Sequence, residues 1–263
     1  MNFRSWAKYS VAVVVCASAF SQPLATSRVQ AELDQGIAQY KTGKYKDATV
    51  HLRKALRLDS GSFQASLYLA KTLTEQFEAG LKTSKNLALA TEAQQQFKEL
   101  LNRQPRNVEA LKGFAKLKQQ TGDTEGARQY YAEAIAADSK DAEAHTALGT
   151  LDYVRTIGQM NSSAASNYPP SAIDHPLCKV LRAESLPALD AAIDELKKAV
   201  DLHQENGTAA YYLSLAYGAR TRLDCGDAKA RDADGKESAA WRERSMKWPS
   251  YPNEPVVYTS ATL

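Results

Sequence analysis

The residues of this chain that are best suited to chemistry are two cysteines and two histidines in its C-terminal half. Cys178 and Cys225 are the cysteines beyond the N-terminal segment, and His175 lies three positions before Cys178. Two such thiols can pair as a disulfide in an oxidising compartment, remain free, or bind zinc together with His175 and His203. The H-x-x-C spacing supplies only two ligands, and a zinc site needs more. The sequence therefore favours a disulfide and leaves free thiols and a metal or catalytic role open.

Motifs for other kinds of catalysis are missing from the sequence. It contains no G-x-S-x-G, H-E-x-x-H or C-x-x-C motif and no phosphate-binding glycine loop. Carboxylates such as Asp190, Asp194 and Glu195 recur on one predicted helix, where a solvated polar face is expected. A solvated or helix-capping role is predicted for each histidine: His51, His145, His175 and His203. We therefore predict a protein that is not an enzyme, with no cofactor and no resident metal.

The elements that position these residues repeat along the chain with a period of about 34 residues. The clearest copy covers residues 108–141. In it, Ala115 and Ala127 are small where two antiparallel helices must approach closely, and Gly122 makes the turn between them. Tyr131 and Ala134 continue the buried face at helical spacing. The copy therefore predicts one helix-turn-helix unit, to which the rest of the chain can be aligned.

Four further copies align with this unit. We predict repeats over residues 29–62, 63–107, 108–141, 142–206 and 207–248, which form one domain over 28–248, followed by an extended or disordered tail over 249–263. The slots for small residues hold Gly36, Ala70, Ala115, Gly149 and Ala216. Extra residues interrupt the second repeat around 78–89 and the fourth repeat around 160–176. In the fourth repeat we predict a long surface loop, then a helix capped by Ser185 with Pro187 in its first turn.

This pattern is that of the tetratricopeptide repeat (TPR), and the chain resembles a group of exported bacterial TPR proteins. The resemblance rests on the segments GIAQYKTGKYKDA, LGTLDY, CKVLRAESLPALDAAIDELKKAV and YYLSLAYGARTRLDC. It implies an all-α fold, a right-handed TPR superhelix (α-solenoid) of about five helix-turn-helix repeats with insertions in repeats 2 and 4. It also implies a binding scaffold, and it brings no assigned activity.

The first residues are typical of an export signal. Arg4 and Lys8 form a basic start, residues 11–20 form an apolar run too short for a permanent span, and residues 17–19 offer a small-x-small cleavage site. We predict a signal peptide over 1–25, cleaved after Ala19 or Ala25, and a periplasmic or extracellular location in a bacterium. An uncleaved N-terminal anchor is the alternative.

Charge argues against nucleic acid as a partner. The net charge of the whole chain is +3, and the predicted signal peptide contains two of its basic residues, Arg4 and Lys8. The mature chain would therefore be close to neutral and would lack the strongly basic surface of nucleic-acid-binding domains. We expect no permanent membrane span after signal cleavage, and the oligomeric state is left open.

The candidate binding site is the groove that first helices line in TPR proteins. Its inward slots hold Tyr40, Lys41, Lys71, Lys112, Lys116, Thr150, Tyr153, Tyr217 and Arg220. Exposed basic groups that alternate with tyrosines would favour an extended peptide with acidic side chains or a C-terminal carboxylate. A simpler interpretation of the same lysines is a solvated helix face.

Two functions from different classes follow from these observations. The favoured one is a non-enzymatic scaffold that binds an extended peptide or partner segment in the groove. The alternative is an accessory envelope protein with a small-molecule or metal site formed by the insertion in the fourth repeat.

Overall fold

The computed structural model describes residues 22–162 and 176–248, and in these two ranges the backbone is helical apart from short turns, without a β-strand. They contain ten α-helices: α1 (Gln22–Lys41), α2 (Tyr45–Leu58), α3 (Phe63–Gln76), α4 (Ser84–Arg103), α5 (Val108–Gln120), α6 (Thr124–Ala137), α7 (Ala142–Ser162), α8 (Pro176–Leu202), α9 (Gly207–Arg220) and α10 (Ala228–Lys247). A short 3-10 helix, Thr221–Leu223, follows α9. The prediction of an all-α fold of ten repeat helices is confirmed. Most of the predicted signal peptide and the predicted tail lie outside the described residues.

The chain forms two compact units, Met1–Leu69 and Ala70–Leu263. In the first unit α1 packs against α2. Their closest approach is at Gly36, where an added Cβ would lie 2.7 Å from Cγ of Leu52. A hydrogen bond of 2.6 Å between Nδ1 of His51 and Oε2 of Glu32 joins the same two helices. The predicted small slot in this repeat is therefore required by packing.

In the second unit, α5 packs against α6, α7 against α8, and α9 against α10. Successive pairs contact each other through α4 and α5, α6 and α7, and α8 and α9. Ala70, Ala115 and Ala216 are fully buried. Gly149 is buried as well, and an added Cβ would lie 2.7 Å from Cγ of Leu196. The prediction that all five small slots are buried is confirmed. A larger side chain at any of these points would push the two helices apart.

Short polar side chains fix the starts of several helices. Each of the following residues precedes a helix and accepts a hydrogen bond from a backbone N–H in its first turn: Asn107, Asp123, Asn206 and Asp227. Such caps satisfy N–H groups that have no partner inside the helix. Gly122 closes the turn of the central repeat with φ +85°, a conformation that glycine adopts without steric cost. These local signals divide the chain into helices independently of packing.

The start of α8 differs from the sequence prediction. The helix begins at Pro176 and not near Ser185, so Pro187 lies inside it and Ser185 is buried in its middle. The early start is stabilised because Cys178 and Leu181 of the added turns are buried. Proline at the first helical position also needs no N–H partner there. The carbonyl that Pro187 leaves without an intrahelical donor belongs to Ala183, an exposed residue that water can reach.

The insertion in the fourth repeat mostly lengthens two helices. The prediction of a surface loop around 160–176 was wrong at both ends, because α7 continues to Ser162 and α8 begins at Pro176. Met160, which was expected in the loop, is fully buried in the C-terminal core. Apolar residues that the local pattern could not assign to a helix are ordered by tertiary contacts. Residues 163–175, which include His175, lie outside the described part.

The close approach of α7 and α8 can be tested at Gly149. Gly149→Ala should lower the free energy of unfolding by about 1–3 kcal/mol, because its Cβ would overlap Leu196 and lie 3.0 Å from the backbone oxygen of Ala192. Gly235 on α10 is a matched control, since no atom lies within 4 Å of an added Cβ there. Gly235→Ala should be neutral or stabilise by up to about 1 kcal/mol. Urea unfolding followed by circular dichroism measures both, and equal effects would contradict the packing argument.

Candidate functional site

Charged side chains on the first helices of the second unit form one connected network. Lys112 on α5 lies at its centre. Its Nζ atom donates to Oε1 of Glu109 at 2.8 Å, to Oδ2 of Asp141 at 2.9 Å and to Oε2 of Glu143 at 2.6 Å. Lys71 on α3 donates to the other carboxylate oxygen of Glu109 at 2.7 Å. We call these five residues the first-helix network, which connects α3, α5 and the start of α7.

Hydrogen bonds to opposite charges shift the pKa values of Lys112 and Glu109. Burial by itself lowers the pKa of Lys112, but hydrogen bonds to the carboxylates of Glu109, Glu143 and Asp141 raise it overall. Burial likewise raises the pKa of Glu109, but hydrogen bonds from Lys112 and Lys71 outweigh it and hold the pKa at about 2. Lys112 and Glu109 therefore each stabilise the charged form of the other.

The network carries more negative than positive charge, because three carboxylates surround two ammonium groups. The side chain of Glu143 is 76% exposed and that of Glu109 is 49% exposed, whereas that of Lys112 is only 9% exposed. The surface offered to solvent is therefore acidic. The prediction of an exposed basic strip was wrong at Lys112, because acidic residues 29 and 31 positions further along the chain cover its ammonium.

Lys116, one turn beyond Lys112 on α5, has a different environment. Its side chain is 45% exposed and pairs with Glu75 on α3, whose side chain is 19% exposed. This pair joins the same two helices as Lys71 and Glu109 do. Each of the three predicted groove lysines of α3 and α5 is therefore bound to a carboxylate of the chain itself.

Two predicted groove residues, Tyr40 and Lys41, belong to the first unit. The Tyr40 ring packs at centroid distances of 5.8 Å from Tyr45 and 5.6 Å from Tyr68. Lys41 is exposed and is the last residue of α1. Tyr45 belongs to the same repeat and Tyr68 to α3 of the next, so Tyr40 packs between the first two repeats.

The predicted tyrosines of α7 and α9 lie in the C-terminal core and not on an open surface. Tyr217 is 3% exposed, and the half-buried Tyr153 packs on Tyr212 at a ring distance of 5.8 Å. Burial raises the pKa of Tyr153 to about 12. Thr150 has a buried hydroxyl oxygen without a hydrogen-bond partner in the described part of the chain. The two tyrosines differ from the sequence prediction because they belong to the core that α7, α8, α9 and α10 share.

Arg220, the last predicted groove residue, connects three helices. Its Nε donates to Oδ2 of Asp234 on α10 at 2.8 Å, and its Nη1 donates to Oδ1 of Asp190 on α8 at 2.8 Å. The guanidinium carbon also lies 4.9 Å from the ring centroid of Tyr217. These contacts use the planar donor geometry of the side chain for packing of the C-terminal helices.

The two cysteines are joined in the structure. The sulfur atoms of Cys178 and Cys225 lie 2.06 Å apart and the Cα atoms 5.6 Å apart, a separation within the usual range for a disulfide. The bond connects the added turns of α8 to the turn before α10. Sulfurs in a disulfide are not available as thiolate ligands, and the described residues contain no group of three histidine, cysteine or acidic side chains placed for a metal ion.

His145 on α7 was missed by the sequence analysis, which predicted a solvated or capping role. It is 3% exposed, its Nδ1 lies 2.5 Å from Oε2 of Glu195, and its Nε2 lies 3.1 Å from the backbone oxygen of Ser139. The ring therefore joins α7 to Glu195 on α8 and to the backbone before α7. A carboxylate 50 residues away gave no local signal for this contact.

Comparisons with known proteins agree with this architecture. Residues 90–151 match the family model of the tetratricopeptide repeat. Two crystal structures of MamA are each 17% identical to this chain. The match to the first covers 81% of this chain and 97% of the MamA chain, with a TM-score of 0.50. The match to the second covers 85% of this chain and 97% of the MamA chain, with a TM-score of 0.51. TTC0263, a thermophilic TPR protein of Thermus thermophilus, is 20% identical over 83% of this chain and 97% of its own, with a TM-score of 0.50. No curated protein matches the chain.

Helix pairs repeated along the chain, with small residues at each close approach, define a helical-repeat protein of the α-solenoid class. At these identities the solved structures support the fold alone. The fold is that of tetratricopeptide-repeat proteins, and residues 90–151 match the family model. Proteins of this family are generally non-enzymatic scaffolds that bind protein partners. None of the helices in the described ranges has the length and apolar character needed to cross a bilayer.

The central role of Lys112 can be tested against its neighbour Lys116. Lys112→Ala should lower the free energy of unfolding by about 3 kcal/mol, because Asp141 and Glu143 lose their shared ammonium and Glu109 keeps only Lys71. Lys116→Ala removes a partly exposed pair and should cost less than about 1 kcal/mol. Urea unfolding at neutral pH measures both values. Similar losses for the two variants would contradict the central role of Lys112.

The network should also weaken in acid. The pKa of Glu109 in the folded state is about 2, below its ordinary value of 4.5. Its ion pairs therefore stabilise the fold fully above the unfolded value, and this stabilisation is lost as the pH falls towards 2. Unfolding free energies measured between pH 7 and pH 3 should fall less steeply for Glu109→Gln than for the wild type. Glu133→Gln on the exposed face of α6 should keep the wild-type slope, and an unchanged slope for Glu109→Gln would rule the effect out.

Proposed function

We propose that this protein is a non-enzymatic interaction scaffold that binds an extended segment of a protein partner across α3, α5 and the start of α7. The observation that carries the proposal is the first-helix network, which crosses these helices in the second unit. The family binds protein partners in general, and repeat proteins use the surfaces that successive repeats build together. The network is such a surface.

Preorganisation supports this site. Long charged side chains usually lose rotamer freedom when they bind, and that loss weakens the affinity. In the network, Lys112 and Lys71 already hold Glu109 in place, and Lys112 holds Glu143. A partner that contacts the exposed carboxylates of Glu109 and Glu143 therefore meets groups that are partly ordered in advance.

The charge balance supports a partner segment with basic side chains or backbone N–H groups directed at these carboxylates. The sequence alone favours an acidic segment or a C-terminal carboxylate, which would have to displace the carboxylates of the chain from Lys71, Lys112 and Lys116. We therefore propose a basic segment, and an acidic one becomes an outcome of the experiment below.

We also propose that the protein acts in the periplasm or outside a bacterial cell. The N-terminal basic and apolar pattern supports export, and a disulfide between Cys178 and Cys225 fits an oxidising compartment. The alternative function is a small-molecule or metal site in the fourth-repeat insertion. It has less support, because the sulfurs of Cys178 and Cys225 in that disulfide cannot serve as thiolate ligands.

Site-specific photocrosslinking in the producing cells tests the binding site. A photoreactive amino acid in place of Gln119, a partly exposed residue at the end of α5, should capture one defined protein through a segment rich in lysine or arginine. The same label in place of Ala132, exposed on α6, is the control and should capture little of that protein. The combined change Glu109→Gln and Glu143→Gln should reduce the yield at Gln119 at least about tenfold.

Two results would overturn the proposal. Equal capture from the Gln119 and Ala132 positions would mean that the first-helix network does not direct binding. Capture only from a label at Asn161, at the end of α7, would favour the insertion in the fourth repeat. A crosslinked segment rich in aspartate and glutamate would restore the acidic partner that the sequence alone favours.

A further inference from the structure

The insertion in the second repeat forms an ordered protrusion. The chain leaves α3 after Gln76 and enters α4 at Ser84. The side chain of Asn86, 4% exposed, holds the connection: its Oδ1 accepts from the backbone N–H of Glu78 at 2.9 Å, and its Nδ2 donates to the backbone oxygens of Glu78 at 2.8 Å and Leu81 at 2.7 Å. The Thr83 side chain accepts from the N–H of Asn86 and caps α4. One buried amide thus fixes the path of the whole insertion.

This ordered segment exposes apolar side chains. Leu81 is 42% exposed and Leu87 is 50% exposed. They lie close together, because Asn86 precedes Leu87 and donates to the backbone of Leu81. From residue 78 to residue 88, every residue except Asn86 is exposed. The leucines are therefore presented to solvent and not packed against the repeat core.

The same tip carries two lysines and one exposed carboxylate, that of Glu78, so it keeps a net positive charge. Lys82 and Lys85 are exposed, and neither forms an ion pair in the described part of the chain. By contrast, Lys71, Lys112 and Lys116 in the same unit all bind carboxylates. Two leucines thus flank two unpaired lysines within seven residues of the tip, 81–87.

We propose that this protrusion docks the protein on an anionic lipid surface. Leu81 and Leu87 would enter the boundary between headgroups and acyl chains, while Lys82 and Lys85 would contact lipid phosphates. A lysine can extend its ammonium to the headgroups while its apolar stem lies deeper, so leucine and lysine can occupy the same tip. An anionic lipid surface accepts both kinds of side chain at once, because its phosphates pair with lysines and its acyl boundary takes up leucines.

The size of the tip implies weak and reversible binding. Two leucines bury less apolar surface than one fatty-acyl chain, which by itself gives only marginal membrane affinity. The charge contribution adds to it and is screened by salt, since exposed charges interact over a Debye length of about 8 Å at physiological ionic strength. Docking of this kind would concentrate the proposed scaffold at a membrane without anchoring it. It does not depend on the identity of the partner bound by the first-helix network.

Cosedimentation with lipid vesicles tests the apolar contribution. The full chain is mixed with vesicles of phosphatidylcholine alone or of phosphatidylcholine with one third phosphatidylglycerol. Leu81→Ser combined with Leu87→Ser should lower the partition coefficient for the anionic vesicles at least about tenfold. The control, Val50→Ser combined with Leu202→Ser, removes two equally exposed apolar residues elsewhere and should change it less than about twofold. All variants keep the same N-terminal residues, so the apolar run 11–20 contributes equally to each.

Charge reversal tests the second contribution. Lys82→Glu combined with Lys85→Glu should lower binding to the anionic vesicles at least about tenfold and leave binding to neutral vesicles unchanged. Lys98→Glu combined with Lys140→Glu changes the net charge by the same amount at other exposed lysines and should have a smaller effect. Wild-type binding to anionic vesicles should fall as salt rises from about 50 to about 500 mM, where the Debye length becomes shorter than about 5 Å.

Rigid display of the tip can be separated from its composition. Asn86→Ala keeps both leucines and both lysines but removes the three hydrogen bonds that order the segment. Its vesicle binding should fall about threefold or more while the helical circular dichroism stays near that of the wild type, because only the insertion is released. The proposal is overturned if the wild type binds anionic vesicles no better than neutral ones, or if the leucine and lysine variants bind like their controls. A protein would then be the better candidate for what covers the tip.

Discussion

The close approach of paired helices is the constraint on which the rest of the structure depends. At Gly149 the backbone of α7 comes so near to α8 that a single added carbon would overlap Leu196. At Gly36 an added Cβ would likewise lie 2.7 Å from Cγ of Leu52, so α1 and α2 approach each other equally closely. Because each pair buries its apolar face only at this spacing, a larger side chain at the contact would forfeit dispersion contacts over both helices. Packing of one pair then determines where the next helix can lie.

Buried charge is the second level of organisation, and it follows from the packed helices. Lys112 is surrounded by carboxylates only because α5 and the start of α7 are neighbours in space. The same holds for His145 and Glu195, which meet across α7 and α8. A charged or polar side chain out of water is stable only with such partners. These groups therefore favour one arrangement of adjacent repeats, and their outer carboxylates remain available to a partner.

The insertions show two uses of the same repeat. In the fourth repeat the added residues extend α7 and α8, bury Met160 and Leu181, and are joined to the α10 turn by the disulfide. In the second repeat the added residues leave the core, and one amide, Asn86, orders them in solvent. The insertion in the fourth repeat enlarges the core, and the insertion in the second repeat creates an exposed apolar and basic tip. Function beyond the common scaffold is therefore best sought where the repeat period is broken.

The sequence by itself determined the repeat, its small slots and most helix starts, because these depend on spacing and on caps such as Asn107 and Asp123 that act within a few residues. It also indicated the cysteines as a candidate pair. Only the tertiary structure decided that Lys112 is buried among acids, that Tyr217 belongs to the core, and that α8 begins at Pro176 and continues through Pro187. Each of these depends on residues tens of positions away, whose proximity is created by packing and leaves no local pattern in the chain.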